Sequence, residues 1–415
     1  MKPALKKLIN EEIERQKMTL DLIASENVAD PEMLRILGSP LVNKYSEGYP
    51  GRRYYPGNEI YDEIENLAKA SALKAFKLSL KNWGVNVQSY SGSPANQATY
   101  LALIKPGDII MGLSLAHGGH LTHGHAVNFS GILYKSVSYF LDLKTGYIDY
   151  ENLSKLARKY RPKIIISGAS SYPRKIDFKK IGEIARQIGA YHLADISHIA
   201  GLIAAQVHPS PFPYADVVMT TTHKTLRGPR GAVIFADRKA LIAKHNKVDL
   251  VSAIDKAVFP GLQGGPHNNV TAAMAWNFME VQKPSFRKYS RQIVKNAKTL
   301  AHTLISHGFN LSSGGTDNHL LLIDLHNKNI DGVKAQELLE RSGINANRNV
   351  IPGDKHPLTP SGVRLGTPAV TSRGMKEREM EEIGALIYRC LVLKKSVKKE
   401  VLRLCKKFPL PYLNL

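Results

Sequence analysis

Lys224 follows a β-rich run at residues 217–222 and precedes a Gly-Pro-Arg-Gly turn at 228–231, after which residues 232–235 form a second apolar run. The amine therefore sits at the mouth of a strand, among threonine hydroxyls and beside His223 and Arg230. Such neighbours disfavour its protonation or contact an anion. An amine in that setting can form a Schiff base with a carbonyl. The plainer reading is a solvated loop lysine after ordinary strand residues. A second strand end weighs against it. About thirty residues upstream, at strand-helix-strand spacing, the run Tyr-His-Leu-Ala-Asp closes on Asp195. A carboxylate at one strand end and a lysine at a later one meet the needs of pyridoxal 5'-phosphate. The carboxylate keeps the pyridine nitrogen protonated while the amine carries the aldehyde carbon.

These groups need a scaffold. Residues 163–166 and 191–195 read as strands around a helix at 178–188, and residues 109–113 as a further buried strand. That pattern makes a parallel sheet, with the chemistry at the carboxyl ends of its strands. Ser91-Gly92-Ser93 precedes a helical stretch at 94–103, with Ser93 suited to the cap and Pro94 to the first helical position. Backbone donors at such a helix start form an anion site. Residues 116–124 hold three histidines and three glycines. Metal binding is one use of them, but no Asp, Glu or Cys stands at ligand spacing, and glycines suit close approach to a flat ring. Arg364, on a strand-like run, suits either a structural ion pair or a two-pronged grip on a carboxylate.

Four hundred and fifteen residues imply two domains. Residues 6–17 read as an amphipathic helix, residues 43–55 as an irregular tyrosine-rich loop and residues 58–80 as a helical stretch. A turn-rich loop covers 259–266 and a long helix 268–283; from 284 the composition shifts to a small α+β lobe with a strand at 320–325 and a helix at 333–342. The expected division is an arm at 1–20, a large domain at 21–283 and a small one at 284–415. A mean hydropathy of −0.22 and the lack of a long apolar run argue against a membrane span. Cytoplasm is the expected compartment, since the N-terminus resembles neither a secretory signal nor a transit peptide. Only Cys390 and Cys405 are present, without metal spacing. The net charge of +22 invites a polyanion partner, yet the lysines are dispersed and lack interleaved aromatic residues, which argues against dedicated nucleic-acid binding.

Six blocks, taken in order, resemble the serine hydroxymethyltransferase family. They are Leu-Ile-Ala-Ser-Glu-Asn at 22–27, Asn-Lys-Tyr-Ser-Glu-Gly-Tyr-Pro-Gly-Arg-Arg-Tyr-Tyr at 43–55, Ser-Gly-Ser-Pro-Ala-Asn at 91–96, Ala-His-Gly-Gly-His-Leu-Thr-His-Gly at 116–124, the Lys224 stretch, and Ser-Gly-Val-Arg-Leu-Gly-Thr-Pro at 361–368. The resemblance implies an α/β fold of the aspartate-aminotransferase type, the first fold type of pyridoxal-phosphate enzymes. Its mostly parallel large domain would carry a smaller α+β C-terminal domain. The implied reaction interconverts L-serine plus tetrahydrofolate with glycine plus 5,10-methylenetetrahydrofolate. A folate-free aldolase acting on β-hydroxy amino acids is the alternative.

Roles carry over residue by residue. Lys224, Glu47, Asp195, His120 and Tyr55 are implied to be catalytic. Cofactor contacts are implied for Ser91, Gly92, Ser93, His120, Ser170, Asp195, His198, Thr221, His223 and Lys224, with Tyr45, Gly264 and Gly265 reaching in from a neighbouring subunit. Ser25, Tyr55, His198, Arg230 and Arg364 are implied to hold the amino-acid substrate. Glu47, Tyr54, Leu115, Leu121 and Asn347 are implied to hold folate. A homodimer or a dimer of dimers with shared active sites follows, and no metal. Where most relatives have alanine, this chain has Ser197, which adds a hydroxyl behind the ring.

Overall fold

The computed structural model describes residues 2–354 and 359–412. Its centre is a seven-stranded sheet ordered Trp83–Asn86, Ala232–Asp237, Val217–Thr221, Tyr191–Asp195, Ile164–Ser167, Ile109–Leu113, Lys135–Tyr139. The last five are mutually parallel, and Ala232–Asp237 runs against both its neighbours. The inner strands are buried from end to end, Ile164–Ser167 and Tyr191–Asp195 without an exception. Such end-to-end burial is what a sheet covered on both faces produces. Helix Phe178–Ile188 shows how the cover is made: Asp177 caps it through Lys180 N–H, Gly189 ends it in the left-handed conformation, and Phe178, Ile181, Ile184, Ala185 and Ile188 are buried.

Two compact units result. The larger comprises Ala29–Ser170 and Lys175–Ser290; the smaller comprises the described residues of Met1–Val28, Ser171–Arg174 and Arg291–Leu415. This division departs from the expected boundaries at both ends of the large domain. Leu20–Asp21 pairs in parallel with Ile344–Asn345, and Leu20 and Leu22 are fully buried in the C-terminal core with Leu300, Ile323, Leu339 and Ile383. Residues 21–28 therefore belong with the smaller unit. At the other end the division falls inside helix Pro284–Ser306. The smaller unit is α+β, with a four-stranded antiparallel sheet ordered Asn310–Leu311, Leu320–Asp324, Gly362–Gly366, Asn347–Asn349.

Some local expectations shift. Helix Gly92–Leu103 starts earlier than expected, with Ser91 rather than Ser93 at the position preceding its first residue, so Pro94 falls third in the helix. Its missing N–H still costs nothing, because the first-turn donors have no partner within the helix. Helix Glu59–Ala75 stops short of residue 80, where Lys77 adopts φ +57°. Within residues 43–55 a short hairpin pairs Gly48–Tyr49 with Arg52–Arg53. Helix Pro3–Lys17 has no buried residue.

Candidate active site

The turn bearing Lys224 is fastened from both sides. Thr222 N–H donates to Gly231 O at 3.0 Å, and Gly228 N–H donates to Thr222 O at 2.8 Å. The Thr225 hydroxyl donates to His198 O at 2.9 Å and accepts Gly201 N–H at 3.0 Å. The residue after the lysine is thus tied to the segment that follows Asp195.

Asp195 ends the adjacent parallel strand, in register with Met219. Four donors reach its carboxylate. Ser197 N–H and the Ser197 hydroxyl approach Oδ1 at 3.1 and 2.6 Å. Asn96 Nδ2 and His123 Nε2 approach Oδ2 at 3.0 and 3.1 Å. His123 Nδ1 accepts the His120 N–H at 3.4 Å, which assigns the ring proton to Nε2, facing the carboxylate. Burial works to raise the Asp195 pKa. The hydrogen bond from His123, with that of the Ser197 hydroxyl adding to it, outweighs burial and holds the group well below the usual carboxylate range. Asp195 is an anion.

His120 is the opposite case. Burial, with His123 and Lys224 adding to it and Asp195 opposing, brings it down to about 4. Its Nδ1 accepts Thr122 N–H at 3.2 Å and lies 2.7 Å from the Thr122 hydroxyl, which in turn accepts Asn96 Nδ2 at 2.8 Å. His223 is brought to about 3 by burial and by the charges of Lys224 and Arg230. Both imidazoles are neutral at pH 7. His120 lies within the fields of both Asp195 and Lys224, so the larger unit brings these predicted groups around it.

The start of helix Gly92–Leu103 abuts the same place. A Cβ built on Gly92 would lie 2.8 Å from Thr221 Cγ2. Gly92 and Ser93 N–H have no acceptor within the helix, and the Ser91 side chain makes no capping bond. Nearby, Asn96 Oδ1, Thr221 Oγ1 and His223 Nδ1 are buried polar atoms without hydrogen-bond partners. Leaving such atoms unsatisfied costs about 1–3 kcal/mol each. Helix-start donors, orphaned polar atoms, an anionic carboxylate and a lysine fit a ring that bears a phosphate, a protonated nitrogen and an aldehyde. Ser170, whose N–H donates to Gly118 O at 2.7 Å, and buried His198 stand at the loops beyond Ile164–Ser167 and Tyr191–Asp195.

A second cluster in the larger unit holds the residues expected to serve a neighbour. Tyr45 and Tyr55 pack edge to face at 5.2 Å, and Tyr54 meets Phe259 at 5.7 Å. A Cβ on Gly264 would lie 3.2 Å from Glu47 Oε1, and one on Gly265 3.4 Å from Tyr45. Tyr90 closes the cluster by donating to Gly265 O at 2.7 Å and stacking on His267 at 4.1 Å. Val42, Lys44, Tyr45, Tyr90, Gly265 and His267 border an open cavity of about 510 Å³. Leu115 and Leu121 are partly exposed in short 3-10 turns. Arg230 is exposed.

In the smaller unit, Arg364 is nearly buried on strand Gly362–Gly366, and its Nε donates to Asn347 Oδ1 at 3.0 Å. Asn347, expected at the folate, orients this arginine. Burial lowers Arg364 to about 10, which leaves it a cation at neutral pH. Ser25 lies in a turn that rests on the same strand: Gly366 N–H donates to Leu22 O at 2.7 Å, and a Cβ on Gly366 would strike Ala24 Cα at 2.4 Å.

Asn96, Thr122, His123 and Thr225 escaped the sequence reading as functional groups. Asn96, Thr122 and His123 lie inside recognised blocks, and only their convergence on Asp195 or His120 marks them. Among the described residues, no group of three His, Cys, Asp or Glu is placed to hold a metal, and no helix is long and apolar enough to cross a membrane.

A mostly parallel α/β sheet with an amine and a fixed carboxylate beyond adjacent strand ends, one of them against a helix start, defines an enzyme of the pyridoxal-phosphate class. Comparison with known proteins narrows this. The model of the serine hydroxymethyltransferase family matches residues 1–387. A curated serine hydroxymethyltransferase of Desulfotalea psychrophila (strain LSv54 / DSM 12343) is 50% identical over 419 residues, covering 99% of this chain and 95% of that protein. The chain belongs to the serine hydroxymethyltransferase family, whose members are pyridoxal-phosphate-dependent transferases with tetrahydrofolate as cosubstrate.

Proposed function

We propose that this chain interconverts L-serine plus tetrahydrofolate with glycine plus 5,10-methylenetetrahydrofolate, with Lys224 and Asp195 as the groups that hold pyridoxal phosphate. The observation that carries the reading is the four-donor clamp that keeps Asp195 ionised on the strand beside the one leading to Lys224. When bound, the cofactor supplies a ring that accepts the charge released as the Cα–Cβ bond breaks. Lys224 binds its aldehyde carbon, and Asp195 keeps a proton on its ring nitrogen. Gly92 and Ser93 N–H, the Ser91 hydroxyl and Thr221 receive the phosphate, and His223, Ser170 and His198 complete the pocket. His120, being neutral, faces the ring without adding a cation.

Arg364 and Ser25, with Tyr55, His198 and Arg230, take the amino acid; the Arg364 cation suits a carboxylate. Glu47 moves the proton at the departing hydroxymethyl oxygen. Tyr54, Leu115, Leu121 and Asn347 hold folate. We assign a homodimer or a dimer of dimers in which Tyr45, Glu47, Gly264 and Gly265 serve the partner's site. Exposures of 57% for Tyr45 and 72% for Tyr54 support this, since aromatic rings so open suit an interface. Two buried free thiols, Cys390 and Cys405, accord with a cytoplasmic enzyme.

The test is the absorbance of the loaded protein with glycine and tetrahydrofolate added singly and together. A new visible band that grows only with both supports the reading. A spectrum indifferent to folate replaces it with the folate-free aldolase.

A further inference from the structure

The Ser197 hydroxyl stands between two strand ends. Its Oγ makes the shortest of the four contacts to the Asp195 carboxylate, 2.6 Å to Oδ1. The same oxygen accepts the Thr221 N–H at 3.1 Å. A hydroxyl has a single proton. Because Thr221 N–H is a donor, that proton is directed to Asp195; the other nearby acceptor, Met219 Sδ, is weak and lies 3.8 Å away. Ser197 is 6% exposed, so water does not compete for the bond. One side chain therefore ties the end of Tyr191–Asp195 to the end of Val217–Thr221, the strand that leads to Lys224.

We propose that Ser197 is a positioning residue for Asp195, fixing the carboxylate's orientation and weakening it as a base so that the proton they share stays on the cofactor's ring nitrogen. The inference rests on the reading above in which Asp195 faces that nitrogen. Hydrogen bonds to charged groups are the strong ones, because the charge itself is at stake. With Ser197 N–H, Asn96 and His123 still in place, loss of the hydroxyl leaves the carboxylate anchored but more basic. The proton then moves toward Asp195 and the ring becomes a poorer acceptor of charge.

The test loads the full-length protein with pyridoxal phosphate labelled with 15N at the ring nitrogen and reads that resonance by NMR. Ser197→Ala is expected to move it toward the value of the unprotonated ring, by an amount corresponding to about a tenfold change in the proton's distribution, one pKa unit. Ser197→Thr, which restores a hydroxyl, is expected to move it back. Asp195→Asn serves as the reference and should displace it further. If Asp195→Asn moves the resonance and Ser197→Ala does not, the role of Ser197 falls while that of Asp195 stands. If neither moves it, the placement of Asp195 at the ring nitrogen is itself overturned. A lower melting temperature for Ser197→Ala with an unmoved resonance also rejects the proposal, since it leaves Ser197 only a packing role.

Discussion

Arg53 is the residue on which the tyrosine-rich loop depends. Its guanidinium is 5% exposed and spends its donors on four acceptors: Asp62 at 2.7 Å, Glu65 at 2.7 Å, and the carbonyl oxygens of Ser46 at 2.8 Å and Gly48 at 2.9 Å. The two carbonyls flank Glu47. Arg53→Met removes the cation and leaves the Glu65 carboxylate, 3% exposed, without its closest planar partner. Breaking a buried pair in this way costs about 3–5 kcal/mol. Glu65 keeps Lys69 at 2.7 Å and Gln88 at 3.0 Å, and Asp62 is exposed enough to rehydrate, which places the expected loss at the lower end, about 3 kcal/mol. Both tryptophans, Trp83 and Trp276, lie in the larger unit, so their fluorescence during urea unfolding reports the unit that contains Arg53. Arg53→Met should lower the midpoint by an amount equivalent to about 3 kcal/mol. Arg53→Met with Glu65→Gln should recover about 2 kcal/mol of it, because the stranded charge is gone. Arg53→Lys should not rescue, since a point charge cannot fork to four acceptors. A loss under about 1 kcal/mol for Arg53→Met, the range of an exposed ion pair, would refute the argument.

Two further outcomes are expected. Gly92→Ala should weaken pyridoxal phosphate binding about tenfold, because a Cβ 2.8 Å from Thr221 Cγ2 forces apart the helix start and Thr221, the groups proposed to receive the phosphate; fluorescence titration of the cofactor-free protein measures this, and unchanged affinity rules out the helix start as the phosphate site. Burial, and then the charge of Glu26, raise Asp21 to about 8. The native chain therefore holds a proton between about pH 4 and pH 8 that the unfolded chain has released, and stability falls as pH rises through that window. Asp21→Asn should flatten this part of the melting-temperature profile, and an identical slope in the variant shows that Asp21 does not carry it.

How far the molecule was legible in its sequence follows from how local each cause is. The strands Ile109–Leu113 and Val217–Thr221 announce themselves because burial on both faces favours largely apolar or β-branched runs, whereas Tyr191–Asp195, with His192 buried inside it, is legible by its place in the strand-helix-strand pattern; Asp195 and Lys224 stand out as polar groups at or just past strand ends. Leu20–Asp21 does not announce itself. A two-residue strand has no period, and its partner Ile344–Asn345 lies more than three hundred residues away by position, so only the fold reveals that residues 20–28 belong with the C-terminal unit. The same limit hid the support of the site. Asn96 reads as an ordinary helix residue, and His123 as one of several histidines, until Asp195 is seen between them. Arg53 could be noticed as a cation in an odd loop, but two of its acceptors are backbone carbonyls of that loop and two are carboxylates of helix Glu59–Ala75, and nothing local to either segment announces that they meet. Groups that perform chemistry are conspicuous because they violate the pattern of their own element. Groups that hold them in place satisfy that pattern, and they become visible only through the atoms they meet.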